Sequence, residues 1–433
     1  MVGTVRKMGV ARVAIEQDVL VVGGGLAGIT AAIAAAETGA DVRLASYKQP
    51  TLRHASGLVD VLGYTPDGEG PLVDPFEAID DLPEGHPYER AGADAVHAGL
   101  DLFDDIADTY EGSHTPKNAL LPTHGGTVKP TARYPAGAAA GVASDTRDTL
   151  LVGFERLVDF DAPLAAAHLG AAGAPFRARG VTVEFPIELS ADPKVTRFAH
   201  LLDRDEAVGG RGRGVRRALA ERVKGHLDGE DRVGFPAVLG DDHPAEIRSE
   251  LEAELGAAVF EVPMGPPSLP GIRLEDRLYE ALDDAGVSIT TGNPIVDYDG
   301  DGTVETVYMD RNGSRVPYVA GEFVLATGGL VGKGIDSDRE GVEEPIFDCH
   351  VPHPSDRYEW FEDGAFDDHA FARFGVDPDT EMRPRDADGD VQFDNLRAAG
   401  SVLGGSDFAA EKSGSGVSLA TGYRAGHLAG QRA

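Results

Sequence analysis

Apolar and polar positions fall into blocks at the start of the chain. Residues 18–22 form a short apolar run closed by glycine, residues 26–38 are rich in alanine and helix-forming as far as Gly39, and residues 42–45 return to a strand pattern. Strand, helix and strand within about thirty residues make the parallel unit of doubly wound sheets. From residue 65 to 87 proline, glycine and aspartate dominate, which predicts an exit into a second domain. That domain runs to the stretch 263–271, whose prolines argue against helix and mark a linker back.

Beyond the linker Leu274, Leu278 and Leu282 recur at every fourth position, the stripe of an amphipathic helix, and Gly286 separates them from the β-rich residues 287–291. Two alternating segments, 303–310 and 315–319, flank Asn312-Gly313, a strong hairpin signal. The expected organisation is a tail over residues 1–16, one domain assembled from 17–75 and 270–433, and an inserted domain over 76–269. No internal repeat or low-complexity block interrupts it.

A length of 433 residues suits two domains, each with its own core. Against 39 basic residues stand 73 acidic ones, for a net charge of −34, and they are spread along the chain. Such a surface repels phosphate backbones and anionic lipid, which excludes nucleic acid as a partner. The basic residues are mostly Arg, with Lys at only eight positions, the composition of a salt-adapted, halophilic surface. A single cysteine, Cys349, rules out an internal disulfide and cannot alone hold an iron–sulfur cluster, which needs about four thiolates. The longest uncharged stretch, 19–36, contains four glycines and reads as strand, turn and helix, so no direct membrane insertion is expected. The first sixteen residues lack the long apolar segment of a secretory signal, which predicts a cytoplasmic protein.

Gly23-Gly-Gly25-Leu-Ala-Gly28 gives G-x-G-x-x-G between the first strand and helix. Gly23 permits the tight turn, Gly25 lets backbone approach a pyrophosphate, and Gly28 lets helix pack close on strand. Leu26 and Ala27 then offer amide donors at the positive end of the helix dipole. Ser46 stands where the second strand would end in the acidic residue that holds an adenosine ribose, so FAD and FMN both stay open. Its hydroxyl can still hydrogen-bond a sugar. Ala326-Thr-Gly-Gly329 closes the apolar run from Phe323 and is a second place where a strand end can approach a cofactor; an ordinary strand exit is the plain alternative. Gly400 follows another short run, and Gly414-Ser-Gly416-Val417 opens a helix whose amides could face a flavin pyrimidine.

These glycine motifs, together with Ser46-Tyr-Lys-Gln, Leu52-Arg-His-Ala-Ser-Gly57, Leu269-Pro-Gly271 and Ala399-Gly-Ser-Val-Leu-Gly-Gly405, resemble the B subunit of the anaerobic glycerol-3-phosphate dehydrogenases. The resemblance covers nearly the whole chain from Asp18, and the segment 46–57 is its most specific part; the glycines are shared with the wider fumarate-reductase-like flavoproteins. It implies an α/β fold, a Rossmann-like FAD/NAD(P)-binding domain carrying an inserted α+β cap domain. The implied activity is oxidation of sn-glycerol 3-phosphate to dihydroxyacetone phosphate, with electrons passed towards quinone. The resemblance also implies FMN on this subunit, Ser56 and Gly57 beside it, a flavoprotein partner, the A subunit, and an iron–sulfur C subunit that anchors the pair peripherally at the inner face of the membrane. A non-catalytic flavin-binding relay is the alternative role.

Oxidising a secondary alcohol needs a hydride acceptor, a base for the hydroxyl proton and an anchor for the phosphate. His54 is the first candidate base, with a hydrogen-bonding loop histidine as the plain alternative. Arg53 and Lys48 can offer positive charge to flavin or phosphate. His350 and His353 share a proline-flanked loop that lacks a second ligand cluster, so no metal is expected. Arg211, Arg213, Arg216 and Arg217 form the densest basic cluster, read as the solvated face of a helix.

Overall fold

The computed structural model describes residues 14–48, 51–209 and 212–433. β1 (Ile15–Val22), α1 (Leu26–Ala36) and β2 (Val42–Ser46) form the expected first unit. The chain then leaves the sheet through α2 (Ala93–Ile106) and the small hairpin of β3 (Ala119–Pro122) and β4 (Val128–Thr131). β5 (Thr149–Phe154), β6 (Ala178–Val183), β7 (Arg232–Pro236) and β8 (Ala258–Val262) follow, in the order β8-β7-β5-β6 and parallel throughout. Their apolar residues, with Phe198 stacked on Phe154, make a core separate from that of the first sheet.

α3 (Leu269–Asp284) and β9 (Ser288–Thr291) bring the chain back. β10 (Ile295–Gly300), β11 (Val304–Arg311), β12 (Ser314–Leu325) and β13 (Leu396–Ala398) complete a seven-stranded mixed sheet in the order β9-β2-β1-β12-β11-β10, with β13 beside the end of β12. The chain closes with α4 (Gly414–Arg432). Register decides where a site can form. Val22 lies level with Ala45 and with Leu325, and Leu325 with Ala398, so four parallel strands end on one edge of the sheet. The glycine segments leave from that edge.

Three local expectations need correction. The prolines of 263–271 do not keep helix away: Ser268 caps α3 by accepting from Gly271 N at 3.3 Å, and Pro270 sits in the first turn, where its missing N–H costs nothing. The segments 315–319 and 323–325 are one strand, β12, whose first half pairs antiparallel with β11 and which lies parallel to β1 from Tyr318 to its end. The domain border expected at residue 75 is not where packing changes. Ile79, Val96, Leu100 and Phe103 bury their side chains in the first core, because α2 is amphipathic and Gly99 lets it touch the backbone of α4 at Leu419.

Small residues also dock α4 on α1. A Cβ at Gly422 would lie 2.5 Å from Ala27 O, and Gly426 and Gly430 meet Ala31 and Ala35 in the same way. The matching order makes the two helices parallel. Since Gly422 is level with Ala27, α4 begins about 10 Å beyond the start of α1, at 1.5 Å per residue.

Candidate functional site

Gly23 has φ +125°, and a Cβ there would collide with Ala326 O, so only glycine lets the first turn cross the end of β12. A Cβ at Gly28 would strike Gly23 O, which fixes α1 tightly under the loop. Gly25 is different. Apart from its own chain neighbours, no protein atom lies within 4 Å of its Cβ position, so open space borders the N-terminus of α1. That N-terminus has no side-chain cap and no acidic residue in its first turn, leaving the donors at Leu26 and Ala27 to an outside anion. Thr327 adds a second sign of a missing partner, because its Oγ1 is buried without a hydrogen bond.

The other segments gather on this edge. Gly329 N donates to Ser401 Oγ at 3.2 Å, and the Cβ position of Gly328 lies 3.6 Å from the same hydroxyl oxygen. Gly400, at φ +76°, leaves 2.5 Å between its own Cβ position and Ala27 Cβ, and its N donates to Thr421 Oγ1 at 2.8 Å. Thr421 in turn donates to Val417 O. Gly23, Ala27, Gly28, Ala326, Gly400 and Val417 are thereby gathered through a short series of contacts. Gly414 and Gly416 belong to the first turn of α4, where Gly416 is pressed against Tyr88 and the Asp60 carbonyl.

Ser46 is buried beneath Gly24 and donates to Lys48 O at 3.1 Å. Tyr279 of α3 reaches the same spot; burial raises its pKa, the nearby Glu275 adds to this, and a hydrogen bond with Ser46 opposes it. Arg53 lies 3.4 Å from Glu275, whose own pKa is raised by burial in spite of that arginine. Gly57 is packed against Pro270, and Ser56 Oγ accepts from Leu58 N at 3.3 Å. His54 is exposed, and Lys48 lies over the ring of Tyr47. The structure therefore unites the glycine segments but leaves His54 at the surface and turns Arg53 towards α3.

The FAD binding domain family model matches residues 18–417. Over 96% of this chain and 99% of its own length, the probable anaerobic glycerol-3-phosphate dehydrogenase B subunit of Halobacterium salinarum is 65% identical. The anaerobic glycerol-3-phosphate dehydrogenase B subunit of Pectobacterium atrosepticum is 32% identical over 93% of this chain and 96% of that one. The chain belongs to this B-subunit family of flavoproteins. Among solved structures, the open conformation of a flavocytochrome c3 fumarate reductase gives a TM-score of 0.44 at 12% identity, covering 96% of this chain and 78% of that one, too distant to bear on function.

Within this family member, several polar residues at the site have little signature in sequence. Glu275 and Tyr279 stand four apart on α3, beside the leucine stripe, and that spacing is the one available signal. Asp60 and Lys129 carry none, since they are 69 positions apart and only the fold joins them, at 2.8 Å. Of the basic cluster, Arg216 is not on a solvated face: it is buried, bonding Glu246, Glu250 and the carbonyls of Leu202 and Asp203. Arg213 and Arg217 are exposed and paired with Glu221, and Arg211 lies outside the described residues. His353 Nδ1 lies 2.7 Å from Val351 O, and His350 N donates to Gln392. Among the described residues no cluster of His, Cys, Asp and Glu could hold a metal, and no helix is long and apolar enough to cross a membrane.

Proposed function

We propose that this chain oxidises sn-glycerol 3-phosphate to dihydroxyacetone phosphate on its own flavin, as the B component of a quinone-linked dehydrogenase that also contains a flavoprotein A subunit and an iron–sulfur C subunit. The observation that carries the reading is the convergence of the segments 23–28, 326–329 and 400–401 on one sheet edge, with open space at Gly25 before an uncapped helix. A bound flavin supplies the two-electron acceptor for the hydride that leaves the alcohol carbon. The amides at Gly25, Leu26 and Ala27 would hold its phosphate, and Thr327 would offer its unpaired hydroxyl. Ala326, Gly328, Gly329 and Gly400 would let the backbone approach the ring, and Ser56 and Gly57 would border it from the loop after β2. His54 takes the hydroxyl proton, and Arg53, tethered by Glu275, holds the loop that carries it.

The flavin we assign is FMN. Ser46 and Tyr279 occupy the place of a ribose-binding acid, so an adenosine half would lack its charged partner. Weighing the cofactor released by heat, by mass spectrometry, tests this directly. The exposure of His54 favours a second reading, in which the chain relays electrons and the A subunit meets the substrate. Anaerobic glycerol 3-phosphate separates the two. Bleaching of the flavin absorbance in the purified chain supports local catalysis, and bleaching only after the A subunit is added supports the relay.

A further inference from the structure

One amide in the first turn of α4 is already taken. Ser415 N donates to Asp60 Oδ1 at 2.9 Å, and Asp60 Oδ2 lies 2.8 Å from Lys129 Nζ. Asp60 is buried, while the Lys129 side chain keeps 23% of its exposure. A second buried group fixes the turn before the helix. Tyr88 N donates to His86 Nδ1, so the ring proton sits on Nε2 and is donated to Glu411 Oε2 at 3.1 Å. Ser413 Oγ donates to the same oxygen at 3.1 Å, and Asp407 N to Oε1 at 2.9 Å. The backbone is thus locked, and what remains adjustable there is charge.

Neighbouring arginines are committed elsewhere, and Lys412, just before the helix, turns its ammonium to the carbonyl of Ala409. Arg53 faces Glu275, Arg133 makes a two-pronged bond to Asp104, and Arg90 sits among Glu84, Glu89 and Asp377. Lys129 pairs with Asp60 alone among the described residues. A flavin whose phosphate sat at Gly25 and whose ring ran along the sheet edge would meet the first turn of α4, because that helix begins about 10 Å beyond α1. Reduction places negative charge on the pyrimidine end of the ring, where a fixed positive group stabilises it and a fixed negative one opposes it.

We propose that Lys129 and Asp60 are positioning residues of opposite sign that set the flavin's reduction potential, Lys129 supplying the positive charge that the occupied Ser415 amide does not. This deepens the reading above and rests on it. The experiment is redox titration of the bound flavin in Lys129→Gln, Lys129→Arg and Asp60→Asn, with flavin content and melting temperature measured alongside. Lys129→Gln should lower the preference for reduced over oxidised flavin about tenfold, about 30 mV for a two-electron couple. Lys129→Arg should restore it, and Asp60→Asn should shift it the other way. A merely structural pair would move both charge-removing variants in the same direction. If Lys129→Gln loses its flavin, the sign of the Asp60→Asn shift decides. Unmoved potentials at full flavin content overturn this proposal and leave the functional reading intact, whereas a wild-type chain that takes up no flavin overturns both.

Discussion

In the inserted domain Asp145 sits against Arg147, whose hydrogen bond holds its carboxyl down to about 2, while in the flavin domain Glu275, Glu322 and Glu344 are each pushed above the usual carboxylate range, first of all by burial. The same contrast runs further. Glu230 and Glu246 of the insert lie low, the first because Arg179 and backbone amides outweigh its burial, the second because Arg216 bonds it. Asp241 in the insert and Asp338 in an exposed turn of the other domain run against the trend. Charge in the insert is placed where cations meet it and so serves stability. Those three carboxyls of the flavin domain lie where burial outweighs their partners, a condition that active regions also use.

The largest effect on cofactor retention should come from a change that touches neither core. Gly25→Val puts a branched side chain into space that, apart from its own chain neighbours, holds no protein atom within 4 Å, so the fold should survive while the room for phosphate is lost. Flavin retention should fall at least about a hundredfold, roughly 2.7 kcal/mol, read as absorbance per mole of protein with unchanged far-ultraviolet dichroism. Full flavin content in that variant would remove the cofactor from this edge.

Next comes the buried pair of Glu322 on β12 and Arg397 on β13, where burial raises the carboxyl and lowers the guanidinium. Two further nitrogens of Arg397 are buried without partners. Arg397→Leu strands Glu322 and should cost about 3–5 kcal/mol in denaturant unfolding. Adding Glu322→Leu should return most of that loss. An unchanged midpoint in the single variant would mean that the flavin domain compensates its carboxylates as well as the insert does.

Acid should then separate the domains. A depressed carboxyl such as Asp145 contributes stability that is present above its unfolded value near ~3.9 and lost as pH falls towards about 2. A raised carboxyl does the reverse: the folded state binds its proton more readily, so stability grows as pH falls through the raised value. Between about pH 4 and pH 2 amide exchange should therefore open β5 and β7 before β1 and β12. Opening in the other order contradicts the contrast.

Much of this is legible in the sequence. Glycine positions announce themselves, because Gly23 and Gly28 are required by backbone contacts that the βαβ pattern implies. The hairpin is equally plain, since Asn312 and Gly313 both take positive φ. Packing across long separations is not. A proline-rich exit precedes α2 and places it with the insert, yet its stripe of Val96, Leu100 and Phe103 suits either core, and only Gly99 against Leu419 settles the matter. Charge pairing is least legible of all, because a carboxylate-rich chain offers every arginine many partners, and burial, which separates Arg216 from its neighbour Arg217, is a property of the fold.

That neighbour gives the smallest expected effect and the sharpest control. Arg217 reaches Glu221 at 3.4 Å and Glu254 at 4.0 Å with 65% of its side chain exposed, so solvent and salt screen both pairs. Arg217→Ala should change unfolding free energy by no more than about 0.5 kcal/mol, and less still in molar salt. If the loss reached that of a buried pair, the many carboxylates of this surface would be holding the insert together through individual contacts. A null result instead leaves its stability to the few arginines, such as Arg216 and Arg232, that are buried in it.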